Sequence, residues 1–214
     1  MKTHIILLSV LLATISHHCY SQKTSDVSGW AIADFTLVHN KWDYTGSLEY
    51  RSKDNIGMTD LFSIGQYGRY TFSPYFKLSL GYEIFFNNKA GSTVIDHRLL
   101  LQNESAFKLY RFKIDNRLSL LNDFEKLSKP GWGVRDRIRV KYPISQFEPF
   151  AYVELYYRFK SEKVMHHKNR YGVGMNYLMT SRNTFGVYYM MEKYYQKTFV
   201  NNVFGITYAL TVAI

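Results

Sequence analysis

The chain has 214 residues, a formal net charge of +10, 17% aromatic side chains and a single cysteine. That length suits one domain, and 19 Tyr and 15 Phe beside only 13 Gly and 4 Pro exclude a disordered or collagen-like chain. The basic residues alternate with apolar ones instead of clustering, which argues against a nucleic-acid partner.

Residues 1–22 read as a cleaved secretory signal: a single charge at Lys2, an apolar run from Ile5 to Ile15, and Ser21 at the cleavage point. The run is too short to span a bilayer. The rival, a lipoprotein signal acylated at Cys19, places His17 and His18 where small residues belong. Cleavage removes Cys19 and Lys2, so the charge falls by one to +9 and no thiol remains to mispair in an oxidising compartment. Residues 23–214 are then one barrel domain.

Beyond Gln22 the hydrophobic pattern has period two from end to end, the mark of strands with one apolar and one polar face. A first segment, Ser28 to Val38, alternates weakly, with Trp30 and Ile32 on one face and Phe35 and Leu37 on the other. Trp42, Tyr44, Leu48 and Tyr50 then oppose Asp43, Thr45, Ser47, Glu49, Arg51 and Lys53. Phe62, Ile64, Tyr70 and Phe72 oppose Ser63, Arg69 and Thr71, and a turn at Ser73-Pro74 leads to Phe76, Leu78, Leu80, Tyr82, Ile84 and Phe86 opposite Lys77, Ser79 and Glu83. Leu99, Leu101 and Phe107 oppose Arg98, Gln102 and Glu104, and Phe112, Ile114, Leu118 and Leu120 oppose Lys113, Asp115, Arg117 and Ser119.

Val134, Ile138, Val140 and Tyr142 oppose a basic ladder, Arg135, Arg137, Arg139 and Lys141. Ala151, Val153, Leu155, Tyr157 and Phe159 oppose Tyr152, Glu154, Tyr156 and Arg158, and Tyr171, Val173, Met175, Tyr177 and Met179 oppose Arg170, Gly172, Gly174 and Asn176. Phe185, Val187, Tyr189 and Met191 form a further apolar face. The last strand carries Phe204, Ile206, Tyr208, Leu210, Val212 and Ile214, an alternation that resembles the terminal assembly signal of outer-membrane proteins and implies the barrel-assembly machinery as a partner.

These segments predict an all-β, transmembrane, antiparallel up-and-down barrel of about 10–12 strands, with strands of about eleven to thirteen residues, long enough to cross a tilted bilayer. A soluble barrel with its apolar face inward would alternate too, but soluble strands are usually about five or six residues long. Trp42 and Trp132 stand at strand ends, where an interfacial aromatic girdle belongs. Short connections near Asn40, Pro74, Leu109 and Ser181 alternate with longer ones at Asp54–Asp60, Asn87–Ile95, Asn122–Gly131, Lys160–Lys168 and Lys193–Thr198. The segments number eleven, whereas termini on the same side of the membrane require an even count.

The polar face is the expected lumen, a charge network of Glu49, Arg51, Arg69, Glu83, Arg98, Glu104, Asp115, Arg117, Arg135, Arg137, Arg139, Lys141, Glu154, Arg158 and Arg170. Facing lipid, each basic residue near mid-bilayer would cost roughly 2–4 kcal/mol. Pairing Pro143 with Phe150 sets Arg139 against Glu154, Arg137 against Tyr156 and Arg135 against Arg158, leaving a basic surplus. Glu104 and Asp115 would meet across a tight turn as a carboxylate pair.

No catalytic, cofactor or metal site is expected. No His is placed to activate an inward Ser, and His166-His167 reads as a polar loop. Lys126, Lys129, Lys160, Lys163, Lys168, Lys193 and Lys197 fall in or beside the longer connections, where they could meet lipopolysaccharide phosphates.

Trp30, Glu49-Tyr50-Arg51, Asn116-Arg117, Arg135-Asp136-Arg137-Ile138-Arg139, Glu154 and Asn169-Arg170-Tyr171-Gly172-Val173-Gly174 together resemble an uncharacterised family of outer-membrane barrels, domain of unknown function 2490. The resemblance covers nearly all of the mature chain. It implies a Bacteroidetes-like source and an outer-membrane address, and brings no established activity or catalytic residue. Three classes of function remain open: a structural barrel or small-solute, anion-favouring pore; a surface-binding barrel acting through its outer loops; and, behind these, an outer-membrane lipid hydrolase.

Overall fold

The computed structural model describes residues 25–89, 92–125, 131–160, 163–195 and 199–214; the expected signal lies outside them. Eleven strands form the wall: β1 (Ser25–His39), β2 (Trp42–Lys53), β3 (Met58–Ser73), β4 (Phe76–Lys89), β5 (Ser92–Leu109), β6 (Phe112–Glu125), β7 (Gly131–Lys141), β8 (Phe147–Lys160), β9 (Lys163–Leu178), β10 (Asn183–Tyr194) and β11 (Phe199–Ala213). Each pairs with its sequence neighbour, and β1 pairs with β11 to close the barrel. The outer face is apolar and exposed, with Trp42 at 59% and Phe204 at 56% exposure.

The closing pair corrects the expectation of an even count. β1 and β11 run parallel, from Ser25 opposite Val200 to Val38 opposite Ala213. A parallel ladder satisfies backbone groups as an antiparallel one does, so an odd number of strands can close. At the seam Ile214 N–H donates to the Val38 carbonyl at 2.9 Å. Ser25 therefore stands at one rim, with the connection 54–57 and the Tyr194–Phe199 pair, and Ile214 at the other, with the turns at 40–41 and 110–111. The Ser28–Val38 segment is thus a wall strand. Its alternation is faint because Ala31 and Ala33 share the outward parity of Phe35 and Leu37 and carry little apolar bulk.

The strands are longer than their apolar alternation, at 11 to 18 residues. Asn87, Asn88 and Lys89 continue the β4 ladder opposite Val94, Thr93 and Ser92, although they read as loop. The ladder needs only backbone partners, so pairing outlasts the hydrophobic pattern at this rim. The expected long loops shrink accordingly, and the region expected as a loop from Lys160 to Lys168 is mostly β9. Aromatic rings crowd the opposite rim: Trp42 packs on Tyr70 at 4.8 Å, Tyr70 on Phe72 at 4.7 Å, and Phe112 on Tyr142 at 5.1 Å.

The β7–β8 register corrects a second expectation. Arg137 faces Glu154, Arg139 faces Tyr152 and Arg135 faces Tyr156. Pro143 does not pair with Phe150; instead the hairpin tightens around Ser145, at φ 55°, with Ile144 bridging to Phe147. This shorter reversal shifts each partner along β8.

Candidate functional site

Strand parity carries the charged side chains into the lumen, where they divide into a central belt and a group at the short-turn end. In the belt, Glu154 from β8 accepts from Arg170 Nη1 at 2.8 Å and from Arg117 Nη2 at 3.2 Å, with Arg135 Nε at 3.8 Å. Glu192 from β10 accepts from Arg170 Nε at 2.6 Å and Lys168 Nζ at 2.7 Å. Glu154 is 3% exposed and Glu192 2%. Arg51 donates to both Glu49 oxygens at 2.9 Å, and Trp30 lies between two guanidiniums, Arg51 at 3.9 Å and Arg170 at 5.2 Å from its ring centre. On the far wall Arg98 bridges Glu83 at 3.2 Å and Asp123 at 2.5 Å, and Arg158 reaches Asp123 at 3.2 Å.

At the short-turn end, Asp115 collects Arg139 at 3.0 Å, Lys141 at 3.4 Å and Arg137 at 3.8 Å. Glu148 takes Lys113 at 2.8 Å and Lys141 at 3.7 Å. Arg69 joins Asp43 at 2.6 Å to Glu104 at 3.3 Å. Every residue expected in the charge network is thus brought into ionic contact from inward positions. The structure does not bring Glu104 and Asp115 together: Glu104 faces Arg117 and Asp115 faces Ala106. The expected carboxylate pair is therefore absent, as the β5–β6 turn sits at Tyr110-Arg111 and offsets the two acids. Nor does Arg135 face Arg158, which stands opposite Gly133.

Between the charges the belt is filled by rings. Trp30, Met190 and Val203 form one buried cluster with Tyr152 and Tyr188 against it; Leu100, Leu121 and Tyr156 form another with Tyr67. Three of these tyrosines face glycines on neighbouring strands: Tyr67 opposite Gly81, Tyr152 opposite Gly172, and Tyr188 opposite both Gly174 and Gly205. A Cβ at Gly81, Gly172 or Gly205 would collide with the tyrosine ring, so each ring lies flat along the wall only because no side chain stands there. Tyr67 also donates from its hydroxyl to Glu83 at 2.6 Å. Sequence reading placed Tyr152, Tyr156, Gly172 and Gly174 on the inward face without assigning them a role. The signal for one is an inward glycine opposite an inward tyrosine, visible only when the register is known.

His166 and His167 project to opposite faces of β9. His166 stacks between Tyr157 at 4.8 Å and Tyr195 at 4.0 Å on the outer side, while His167 packs edge-on to the inward Tyr156 at 5.3 Å. They cannot chelate one ion together, and among the described residues no group of three or more potential ligands is placed to hold a metal. Lys168 is part of the belt and not of the outer rim, because β9 has already entered its ladder there. Lys193 is exposed near the Tyr195 ring, and Lys126, Lys129 and Lys197 lie outside the described residues. On β11, Phe204, Ile206, Tyr208 and Ile214 are exposed on the outer face, with Leu210 and Val212 between them. Trp132 is likewise exposed, opposite Phe159 near the other rim.

Residues 29–203 match the family described as "Protein of unknown function (DUF2490)". A solved structure, the β-domain of the Bordetella autotransporter BrkA, aligns over 80% of this chain and 83% of its own with a TM-score of 0.49 and 14% identity. No curated protein matches the sequence.

Proposed function

Because the chain belongs to the family described as "Protein of unknown function (DUF2490)", which brings no activity with it, we propose a role from the barrel itself. It is an outer-membrane barrel with a closed, salt-bridged lumen, and it works through its rims and outer wall and not as a pore. The apolar outer face with aromatic rings at its ends suits a hydrocarbon band between two interfaces. A secretory signal in residues 1–22 would deliver it there, the barrel-assembly machinery would insert it through the β11 face, and lipopolysaccharide would meet Lys193 and the exposed Tyr195 ring beside it. Cofractionation with the outer membrane and a gel shift on boiling are expected; recovery as a soluble periplasmic monomer would refute the address.

One observation carries the closed lumen: Glu154, at the centre of the belt, is 3% exposed while three arginines from β6, β7 and β9 converge on it. A carboxylate that lines a water-filled path stays wet, and Glu154 does not. The purified, full-length barrel in a planar bilayer should show no stepwise conductance. Steady conductance favouring chloride over potassium would instead establish the anion-favouring pore, with the basic ladder as its lining.

A further inference from the structure

We propose that the belt holds a small inorganic anion, bound between Arg117, Arg135 and Arg137. Arg117 on β6 stands directly opposite Arg137 on β7, and Arg135 stands opposite Ser119 one inward step away. Like charges placed opposite each other across a strand pair are destabilising unless something of opposite sign intervenes. Among the described residues no carboxylate does so within hydrogen-bond reach of Arg135 or Arg137 on β7. Arg135 lies 3.8 Å from Glu154 and Arg137 3.8 Å from Asp115. Both acids are already engaged, Glu154 by Arg170 and Arg117, and Asp115 by Arg139 and Lys141. The Nε groups of Arg117, Arg135 and Arg137 are all buried and find no acceptor among the described residues.

Three buried N–H donors on neighbouring inward positions of β6 and β7, each without an acceptor, define what is needed to complete the site. A water molecule could accept one of these bonds but would leave the charge uncompensated, and buried charge is costly until it is paired. In the belt Arg51, Arg98, Arg117, Arg135, Arg137, Arg158, Lys168 and Arg170 still outnumber Glu49, Glu83, Asp123, Glu154 and Glu192, even with Asp34, which shares the inward parity of Trp30 on β1, counted among the acids. An anion supplies both the acceptor and the missing charge. It must be compact, because the Tyr152 ring stands 5.9 Å from the Arg137 guanidinium carbon and Ser119 is fully buried. A halide or a single tetrahedral oxyanion fits that description; an organic acid does not.

The inference rests on the closed lumen, yet the two can fail separately, since conductance tests closure and anion dependence tests the site. The mature barrel is refolded in detergent with gluconate as the sole anion, then titrated with sodium bromide or with sodium sulfate at constant ionic strength. Its unfolding temperature is read from the gel-shift transition. A saturable rise of roughly 5–10 °C at a hundredfold excess over Kd is expected with at least one of the two anions, and none in Arg135→Gln/Arg137→Gln. Crystals grown with bromide should show anomalous density between Arg135 and Arg137, a readout that needs no variant to fold. A bromide-free belt together with no saturable rise from either salt, or an equal rise in wild type and variant, would overturn the proposal.

Discussion

The two halves of the lumen hold similar charges in different surroundings. In the belt the carboxylates Glu154 and Glu192 are almost fully buried, and each is shared among basic groups from several strands. At the short-turn end, Lys113 is 46% exposed where it pairs with Glu148. Rings make the difference. Trp30, Tyr67, Tyr152, Tyr156 and Tyr188 pack around the belt, several of them lying on bare glycine backbone, and no buried ring cluster includes the Lys113–Glu148 pair. Low local dielectric strengthens a complete network and makes an incomplete one expensive. The belt should therefore govern the stability of the barrel interior, while the Lys113–Glu148 pair, whose lysine is half exposed, should behave more like a surface ion pair.

The largest expected effect comes from breaking the belt at its centre. Glu154→Gln removes the charge that Arg117, Arg135 and Arg170 share, and loss of one partner from a buried ionic network costs about 3–5 kcal/mol. Urea unfolding of the detergent-folded barrel, followed by tryptophan fluorescence, should show this as a clear fall in the midpoint. A loss below about 1 kcal/mol would place Glu154 with the solvated pairs and erase the contrast between the halves.

A smaller effect is expected where a ring meets a glycine. Gly172→Ala inserts a methyl group into the Tyr152 ring, and overpacking of this kind typically costs about 1–3 kcal/mol. The companion change Tyr152→Ala vacates that space, so the double variant should lose less than the sum of the two single losses. Strict additivity in that cycle would mean that ring and glycine do not touch in the folded barrel.

What the sequence discloses and what it conceals follow from the same geometry. Polarity at alternate positions is enough to send Arg135, Arg137 and Glu154 inward, because a charged side chain facing lipid is expensive whichever strand lies beside it. Register is another matter. Whether Arg137 or Arg139 faces Glu154 depends on where the β7–β8 hairpin reverses, and Ser145, at φ 55°, gives the turn a position that apolar periodicity does not encode. Strand ends are also hidden, since residues such as Asn87 and Asn88 pair through backbone alone. The parallel β1–β11 seam is least legible, because the sequence of β1 carries no mark of its partner's direction. Trp30, Arg51, Arg117, Arg135, Glu154 and Arg170 stand on six different strands, and only the closed barrel brings them to one belt.

The smallest expected effect lies at the turn end, and it tests the other side of the contrast. Lys113 reaches Glu148 at 2.8 Å, a distance as short as that of Arg170 to Glu154. If distance alone set the energy, the two pairs would matter equally. Lys113, however, keeps much of its hydration in the folded barrel, so it gives up little solvation on pairing and gains little from it. Glu148 also retains Lys141 at 3.7 Å when Lys113 is neutralised. Lys113→Gln should therefore change stability by less than about 1 kcal/mol. Because the pair is open to ions, that small loss should shrink further between 0.05 and 0.5 M salt, as the screening length falls below about 5 Å. The loss from Glu154→Gln should hold over the same range when the salt is gluconate throughout, because the ionic atmosphere of bulk solution screens buried pairs far less than exposed ones. Equal salt dependence at the two positions would show that the belt is wet.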